Sequence, residues 1–383
     1  MKKICVITGS RAEYGLLSRV MRYIREDERL QLQVIATNMH LSAEFGMTYR
    51  EIEADGFVID KKVQMLLSSD TSNAVTKSVG LGTIGFADAY QELQPDLIVV
   101  LGDRSEILAA VTAALLYRIP VAHIHGGEIT EGAYDDAIRH AVTKMSHLHF
   151  TSTEAYRQRV IQMGEQPATV FYVGSLGCDN IRDMQLMDKE TLETSIGFGL
   201  DRNTLMVTFH PMTLGKVGAE KEFSELLAAL DVIGNPRAVF TLPNSDAGGR
   251  VIIGLIEDYV AKHPGKSVAF PSLGAKRYLS ALQYIGGVIG NSSSGVVEAP
   301  SFHIPTLNIG DRQRGRIMAE SVLNCPADRN EIATGLQKVL NSGFRDSLLS
   351  VKNPYDKPGT ARAIVDIIKT CEPGCGKSFY DLL

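Results

Sequence analysis

The chain has 383 residues, 44% hydrophobic and 22% charged, with a formal net charge of −5 at pH 7. That length exceeds what a single hydrophobic core usually serves, so two domains are expected. The acidic balance argues against a general nucleic-acid binder, and no apolar run reaches the roughly 18–20 residues of a membrane span.

The first segment, Lys2-Lys3-Ile4-Cys5-Val6-Ile7-Thr8, reads as a strand and lacks the long apolar core of a signal peptide. A helix is expected over 11–26, a strand over 32–37 and a long helix over 71–93. Leu97-Ile98-Val99-Val100-Leu101 follows as a buried strand, then a helix over 104–117 and a strand over 121–124. A helix over 135–146 and a strand over 149–152 complete this half. The pattern pauses near Gly174–Cys178 and through the polar stretch 188–201. Strands then recur at 205–209, 238–241, 267–269, 287–289 and 306–308, each followed by a helical segment.

This order implies an α/β fold with two Rossmann-like, doubly wound domains. The expected division is 1–176, completed by a C-terminal helix over 364–383, and 177–363, with the interdomain cleft as the default site. Five cysteines, Cys5, Cys178, Cys325, Cys371 and Cys375, are odd in number and mostly scattered. A cytoplasmic, reducing location is therefore expected, and the close pair Cys371/Cys375 lacks a matching second pair for a metal.

Charged residues crowd just past the apolar runs. Gly102-Asp103-Arg104 follows one strand, and His123-Ile-His125-Gly-Gly-Glu128 spans the end of the next, ahead of Asp135-Asp136-Ala-Ile-Arg139-His140. Ligands bind outside the carboxyl ends of parallel strands, so these residues are acid–base candidates. Asp135/Arg139 and Asp136/His140 are both i,i+4 pairs, so one aspartate is expected to be structural and the other functional. His123, His125 and Asp103 could also form a metal site, although His147 and His149 repeat the same spacing.

Anion-binding candidates lie at three turns. Gly9-Ser10-Arg11-Ala-Glu13-Tyr-Gly15 opens a helix after the first strand and departs from the dinucleotide fingerprint. Gly290-Asn291-Ser292-Ser293-Ser294-Gly295 precedes Glu298, whose carboxylate could accept from ribose hydroxyls. Arg312, Arg314 and Arg316 follow the strand at 306–308 and could clamp phosphate. His210 ends the strand at 205–209, where it could neutralise a diphosphate. The loop containing Asn244 also reads as ligand-facing.

Taken in order, Gly9–Gly15, Gly102-Asp-Arg104, His123–Glu128, Asp135–His140, Phe209-His-Pro211, Gly290–Glu298 and Gly310–Arg316 resemble the UDP-N-acetylglucosamine 2-epimerase family. The likeness is stronger to its hydrolysing branch, which makes N-acetylmannosamine for sialic acid synthesis. Asn353-Pro-Tyr-Asp-Lys-Pro-Gly359 is similar to the family's tail. The resemblance implies a GT-B-like architecture, no metal, no other cofactor, and homodimers or homotetramers; the acidic charge and the lack of a long apolar run argue against nucleic-acid and membrane partners.

It also implies site residues. Asp103, Glu128, Asp135 or Asp136, His125 and His210 fall at catalytic positions. Arg11, Arg104, Asn244, Ser292, Ser293, Gly295, Glu298 and Arg312 fall at nucleotide-binding positions. This chain carries His125 where members often have a catalytic glutamate, with Glu128 three residues on. The activity implied is hydrolysis of UDP-N-acetylglucosamine with epimerisation at C2, through a 2-acetamidoglucal. A 2,4-diacetamido-6-deoxy sugar, a non-hydrolysing epimerase and a non-catalytic nucleotide-sugar sensor are the alternatives.

Overall fold

Among the described residues, thirteen strands pair in parallel to form two sheets. The computed structural model describes residues 1–69, 71–131, 133–211, 218–243, 248–374 and 376–382. The first sheet contains β1 (Lys2–Thr8), β2 (Leu30–Thr37), β3 (Lys61–Val63), β4 (Leu97–Leu101), β5 (Val121–Ile124), β6 (Leu148–Thr151) and β7 (Val170–Tyr172). Its order is β3-β2-β1-β4-β5-β6-β7. The second contains β8 (Leu205–Thr208), β9 (Ala238–Thr241), β10 (Ser267–Phe270), β11 (Gly287–Gly290), β12 (Thr306–Ile309) and β13 (Val322–Cys325). Its order is β10-β9-β8-β11-β12-β13. In both, the winding reverses beside the first strand, between β1 and β4 and between β8 and β11. Doubly wound sheets bind ligands at this switch point.

Helices cover both faces of the first sheet. The helix Arg11–Glu26 buries Tyr14, Leu17, Val20, Met21 and Ile24. These share a core with Ile4, Val6, Leu97 and Val99 from the sheet and with Ile364, Val365 and Ile368 of the last helix. Four of these helix residues, Leu17, Val20, Met21 and Ile24, are fully buried. At about 1.5–3 kcal/mol each, that stripe outweighs the ~1 kcal/mol of the helix's N-terminal cap. Across the sheet, Phe86 and Tyr90 pack with Ile107, Ala110, Val111 and Ala114 from a second pair of helices. The second sheet likewise has a core on each face, one around Leu205, Val207 and Ile289 and one around Met206, Val239 and Val288.

The chain divides into two units. The first comprises Met1–Glu128, Asp135–Asn180 and Lys357–Leu383; the second comprises Ile129–Tyr134 and Ile181–Asp356. This corrects the expected division in three ways. The first crossing falls at 180/181 rather than 176/177, and the chain returns at 357 rather than 364. In addition, Ile129–Tyr134 groups with the second unit, because Arg316 Nε donates to the Ile129 carbonyl at 3.2 Å and Arg314 pairs with Glu131 at 3.1 Å. The last helix spans Thr360–Thr370, and the stretch expected to prolong it to 383 is not helical among its described residues. Pro373 and Gly374 punctuate that stretch, and proline lacks the N–H a helix interior needs.

Three strands escape the sequence pattern: β3, β7 and β13. Each is an edge strand of three or four residues. An edge strand pairs on one side only, and Lys61-Lys62-Val63 is too short and polar to mark itself in sequence. Among the described residues, no helix is long and apolar enough to cross a membrane. Cys5, Cys178, Cys325 and Cys371 are free thiols, and Cys375 lies outside the described residues.

Candidate active site

In the first unit, candidate residues follow β4, β5 and β6, three neighbouring strands. The Gly102 amide still donates to the Ile124 carbonyl at 3.0 Å, so the chain leaves β4 only at Asp103. Arg139, 3% exposed, reaches across from the helix Asp135–Met145 and donates to the Asp103 carboxylate. Asp136 lies 3.5 Å from His140 Nε2 on the same helix. The expected Asp136/His140 pair forms, and Arg139 reaches Asp103.

His123 supports the Asp103 turn from beneath. Its Nε2 lies 2.8 Å from the Gly102 carbonyl and its Nδ1 3.2 Å from the Thr143 hydroxyl. A carbonyl can only accept, so Nε2 carries the proton and Nδ1 accepts from Thr143. Both ring nitrogens are then committed, which corrects the metal-site reading of His123, His125 and Asp103. Among the described residues, no group of three His, Cys, Asp or Glu could hold a metal ion. Burial lowers the His123 pKa to about 3, so the ring is neutral at pH 7.

Glu128 is 3% exposed and accepts from the Ser152 hydroxyl at 2.7 Å. His125 Nδ1 lies 3.9 Å from the same carboxylate. His125 adopts φ +65°, an uncommon left-handed conformation for a non-glycine residue. Its amide nevertheless donates to Phe150 at 2.8 Å, tying it to the end of β6. Glu128 and His125 therefore share one polar niche.

The Gly9–Gly15 turn differs from expectation. Ser10 caps the helix, and the Glu13 carboxylate accepts from the Gly9 and Ser10 amides at 2.7 and 3.1 Å. These backbone donors were expected to face an external anion, but the chain's own glutamate takes them. Burial, reinforced by Glu106, raises the Glu13 pKa to about 8. Arg11 pairs with Glu51 at 2.7 Å, and Arg104 Nε pairs with the fully buried Glu106 at 2.8 Å. Sequence reasoning missed Glu13 and Glu106 as site residues; Ser10-Arg-Ala-Glu13 has the spacing of a capping box and was the available signal.

In the second unit, His210 and Asn291 interlock at the ends of β8 and β11. The His210 amide donates to Asn291 Oδ1 at 2.7 Å, and Asn291 Nδ2 donates back to the His210 carbonyl at 2.8 Å. Arg312 and Gln313 donate to the Asn291 carbonyl at 3.1 and 2.8 Å. One asparagine thus gathers the candidate histidine and arginine. Of the three arginines of which one or two could clamp phosphate, Arg314 pairs with Glu131 and Arg316 donates to the Ile129 carbonyl.

Ser292 caps the helix Ser293–Val297, and Gly295 packs closely on Thr306, whose hydroxyl donates to the Gly295 carbonyl at 2.6 Å. This helix has only five residues. Its macrodipole is correspondingly small, so anion binding there would depend on Ser292, Ser293 and local amides. Glu298 sits at the helix end with its amide bonded to the Ser294 carbonyl at 2.9 Å. Asn244 lies outside the described residues.

A family model described as UDP-N-acetylglucosamine 2-epimerase matches residues 22–369. The chain is 41% identical to the GDP/UDP-N,N'-diacetylbacillosamine 2-epimerase (hydrolyzing) of Campylobacter jejuni, covering 90% of this chain and 89% of that protein. It is 38% identical to the polysialic acid biosynthesis protein P7 of Escherichia coli, covering 100% and 98%. It is 34% identical to the UDP-N,N'-diacetylbacillosamine 2-epimerase (hydrolyzing) of Legionella pneumophila, covering 97% and 96%. The UDP-GlcNAc 2-epimerase of Methanocaldococcus jannaschii, solved with UDP-GlcNAc and UDP, matches with a TM-score of 0.79 at 18% identity, covering 96% and 99%. That structural likeness shows the GT-B-like α/β fold. By the extent of the family match and the identity to its relatives, the chain belongs to the UDP-N-acetylglucosamine 2-epimerase family.

Proposed function

We propose that the protein is a hydrolysing 2-epimerase of a nucleoside-diphosphate 2-acetamido sugar. The observation that carries the reading is that the Asp103–Arg139 pair and the Glu128–His125–Ser152 niche follow the carboxyl ends of neighbouring strands. A reaction that removes a proton from one face of C2 and returns one to the other needs two separately held proton handlers. Asp103 and Glu128 supply two, each in a different hydrogen-bond environment, and Asp135 a third. Asp136, beside His140, is structural.

In the first step a carboxylate takes the C2 proton while the C1–O bond breaks, giving a 2-acetamidoglucal and free nucleoside diphosphate. Water then adds across the double bond, its hydroxyl to C1 and a proton to C2 from the opposite face. The net change is hydrolysis with inverted C2. His210 and Arg312, gathered by Asn291, neutralise the departing diphosphate. Ser292, Ser293 and the Gly295 backbone receive phosphate oxygens, and Glu298 receives the ribose. Arg11 and Arg104 act through their partners Glu51 and Glu106, shaping the turns after β1 and β4.

For the sugar, the hydrolysing relatives from Campylobacter and Legionella favour N,N'-diacetylbacillosamine, a 2,4-diacetamido-6-deoxy sugar. The second reading, UDP-N-acetylglucosamine giving N-acetylmannosamine for sialic acid synthesis, draws on the 38% identity to the polysialic acid protein. The working form is a cytoplasmic homodimer or homotetramer. Incubation with each nucleotide sugar in deuterated water tests the reading. Release of nucleoside diphosphate and free sugar deuterated at C2 is expected. A product that keeps its nucleotide identifies a non-hydrolysing epimerase, and binding without turnover identifies a sensor.

A further inference from the structure

The segment after the last helix crosses back over the first unit and ends on the helix that carries Asp135, Asp136 and Arg139. Lys377 Nζ donates to the carbonyls of Ser146 at 2.5 Å and Lys144 at 2.8 Å, and lies 2.6 Å from Glu165 Oε2. The last carbonyls of a helix have no partner within it, and a cation there also opposes the negative end of the helix dipole. Ser146 shares the task, its hydroxyl donating to the Val142 carbonyl at 2.7 Å. Lys377 thus caps, from 231 residues away, the end of the helix Asp135–Met145.

Glu165 anchors this cap. It is 1% exposed and meets three donors: Lys144 and Lys377 at 2.6 Å each and His149 at 3.0 Å. Burial opposes its charge, but these donors win and hold its carboxyl down at about 2. Burial lowers the Lys377 pKa, which Glu165 counters. Further along, the Tyr380 amide donates to the Gly164 carbonyl at 2.9 Å, and Gln166 donates to the Ser378 hydroxyl at 3.0 Å. Gly164 has φ +88°, and a side chain there would run into the Phe379 ring. The Lys144 ammonium sits 5.1 Å from the same ring.

The capped turn is joined to the Asp103 loop twice. Thr143 bonds to His123, which bonds to the Gly102 carbonyl. One turn earlier, Arg139 holds Asp103 itself. We propose that Lys377 is a positioning residue: the tail around it is a strap that fixes the C-terminal end of the helix Asp135–Met145, and through Thr143 and Arg139 sets the position of Asp103. This role rests on the hydrolysing-epimerase reading for its kinetic consequence, but not for its mechanical one.

The test compares full-length Lys377→Met, Lys377→Arg and Phe379→Ala with wild type, measuring kcat, KM, UDP affinity and amide hydrogen exchange. Lys377→Met is expected to lower kcat about tenfold or more, since misplacement by about 1 Å can cost ~10²-fold. KM and UDP affinity should stay within about twofold. Amides of 135–146 and 102–104 should exchange faster, and Lys377→Arg should recover most of the rate. An unchanged kcat in Lys377→Met overturns the proposal, as does a parallel loss in UDP affinity. If Lys377→Met fails to fold, Phe379→Ala, whose ring is 65% exposed, must give a smaller loss of the same kind. If the wild type turns over no nucleotide sugar, the functional reading fails, and exchange over 135–146 alone judges the strap. Faster exchange there upholds it, and unchanged exchange sinks it.

Discussion

Arg139 and Asp103 stand 36 residues apart in sequence and meet as a pair whose arginine is almost wholly enclosed. Two substitutions at Asp103 should therefore separate chemistry from folding. Asp103→Asn keeps an oxygen that can accept from Arg139, so the fold should persist and nucleotide should still bind. Turnover should fall by about 10²–10⁴-fold, the usual worth of a proton-transfer group. Asp103→Ala removes the carboxylate that the buried Arg139 guanidinium pairs with, which costs about 3 kcal/mol. Steady-state kinetics and chemical denaturation of both variants check the split. Normal turnover in Asp103→Asn would remove the carboxylate from its assigned role.

Asn291 bridges both backbone groups of His210 and should behave as a framework residue with a binding phenotype. Asn291→Leu leaves a buried amide and a buried carbonyl without their partners, at about 1–3 kcal/mol each. A loss of roughly 2–4 kcal/mol in urea denaturation is expected. UDP affinity by calorimetry should weaken as well, because the Asn291 turn also receives Arg312. His210→Gln should weaken UDP binding with a smaller stability loss, since the backbone bracket survives. Equal stability losses in the two variants would show that the bracket is not what matters.

Glu13 and two histidines make stability depend on pH in opposite directions. The Glu13 pKa is raised from 4.5 to about 8, so between those values the folded chain holds a proton that the unfolded chain has lost. Its contribution is complete below the unfolded value and disappears as pH rises through 8. Burial lowers the pKa values of His40, an enclosed residue just after β2, and of His123 from 6.5 to about 4 and about 3. There the unfolded chain binds the extra protons, so stability falls as pH drops below about 6.5. Thermal melting from pH 4 to 9 should show both flanks. Glu13→Gln should flatten the alkaline one and leave the acid one intact; an unchanged alkaline flank would exclude Glu13 as its source.

The parts legible in the sequence were those with a local signal. The buried run Leu97–Leu101 marks a central strand, and the place of Asp103 just past its carboxyl end is legible with it. Lys61–Val63 gave no such signal, because an edge strand takes its identity from β2 rather than from its own residues. Arg314 and Arg316 looked like phosphate ligands by charge alone, and only the position of Ile129 and Glu131 shows what they hold. Lys377 was invisible for the same reason. Its partners are the carbonyls of Lys144 and Ser146, and backbone carbonyls have no signature in sequence. Ser10-x-x-Glu13 is the reverse case, a local capping pattern that is readable beside the more conspicuous Arg11.

Two glycines that look alike in sequence should tolerate alanine differently. At Gly9 an added methyl would meet the Glu106 side chain, and at Gly290 the Thr208 backbone carbonyl. Glu106 is fully buried and bonded to Arg104, so it can yield only by moving that pair. Overpacking of this kind costs about 1–3 kcal/mol. Thr208 lies in β8, paired in register with Gly290 itself, so it cannot yield without parting β8 from β11. Gly290 also has φ +128°, a conformation that side chains rarely adopt, which adds about 1–3 kcal/mol. Gly290→Ala should therefore lose more stability than Gly9→Ala, or fail to accumulate as folded protein. Gly9→Ala should remain folded with impaired turnover, since Arg104 follows Asp103 directly. Equilibrium denaturation ranks the two, and a Gly9→Ala loss equal to or above that of Gly290→Ala would contradict the distinction between a side-chain obstacle and a backbone one.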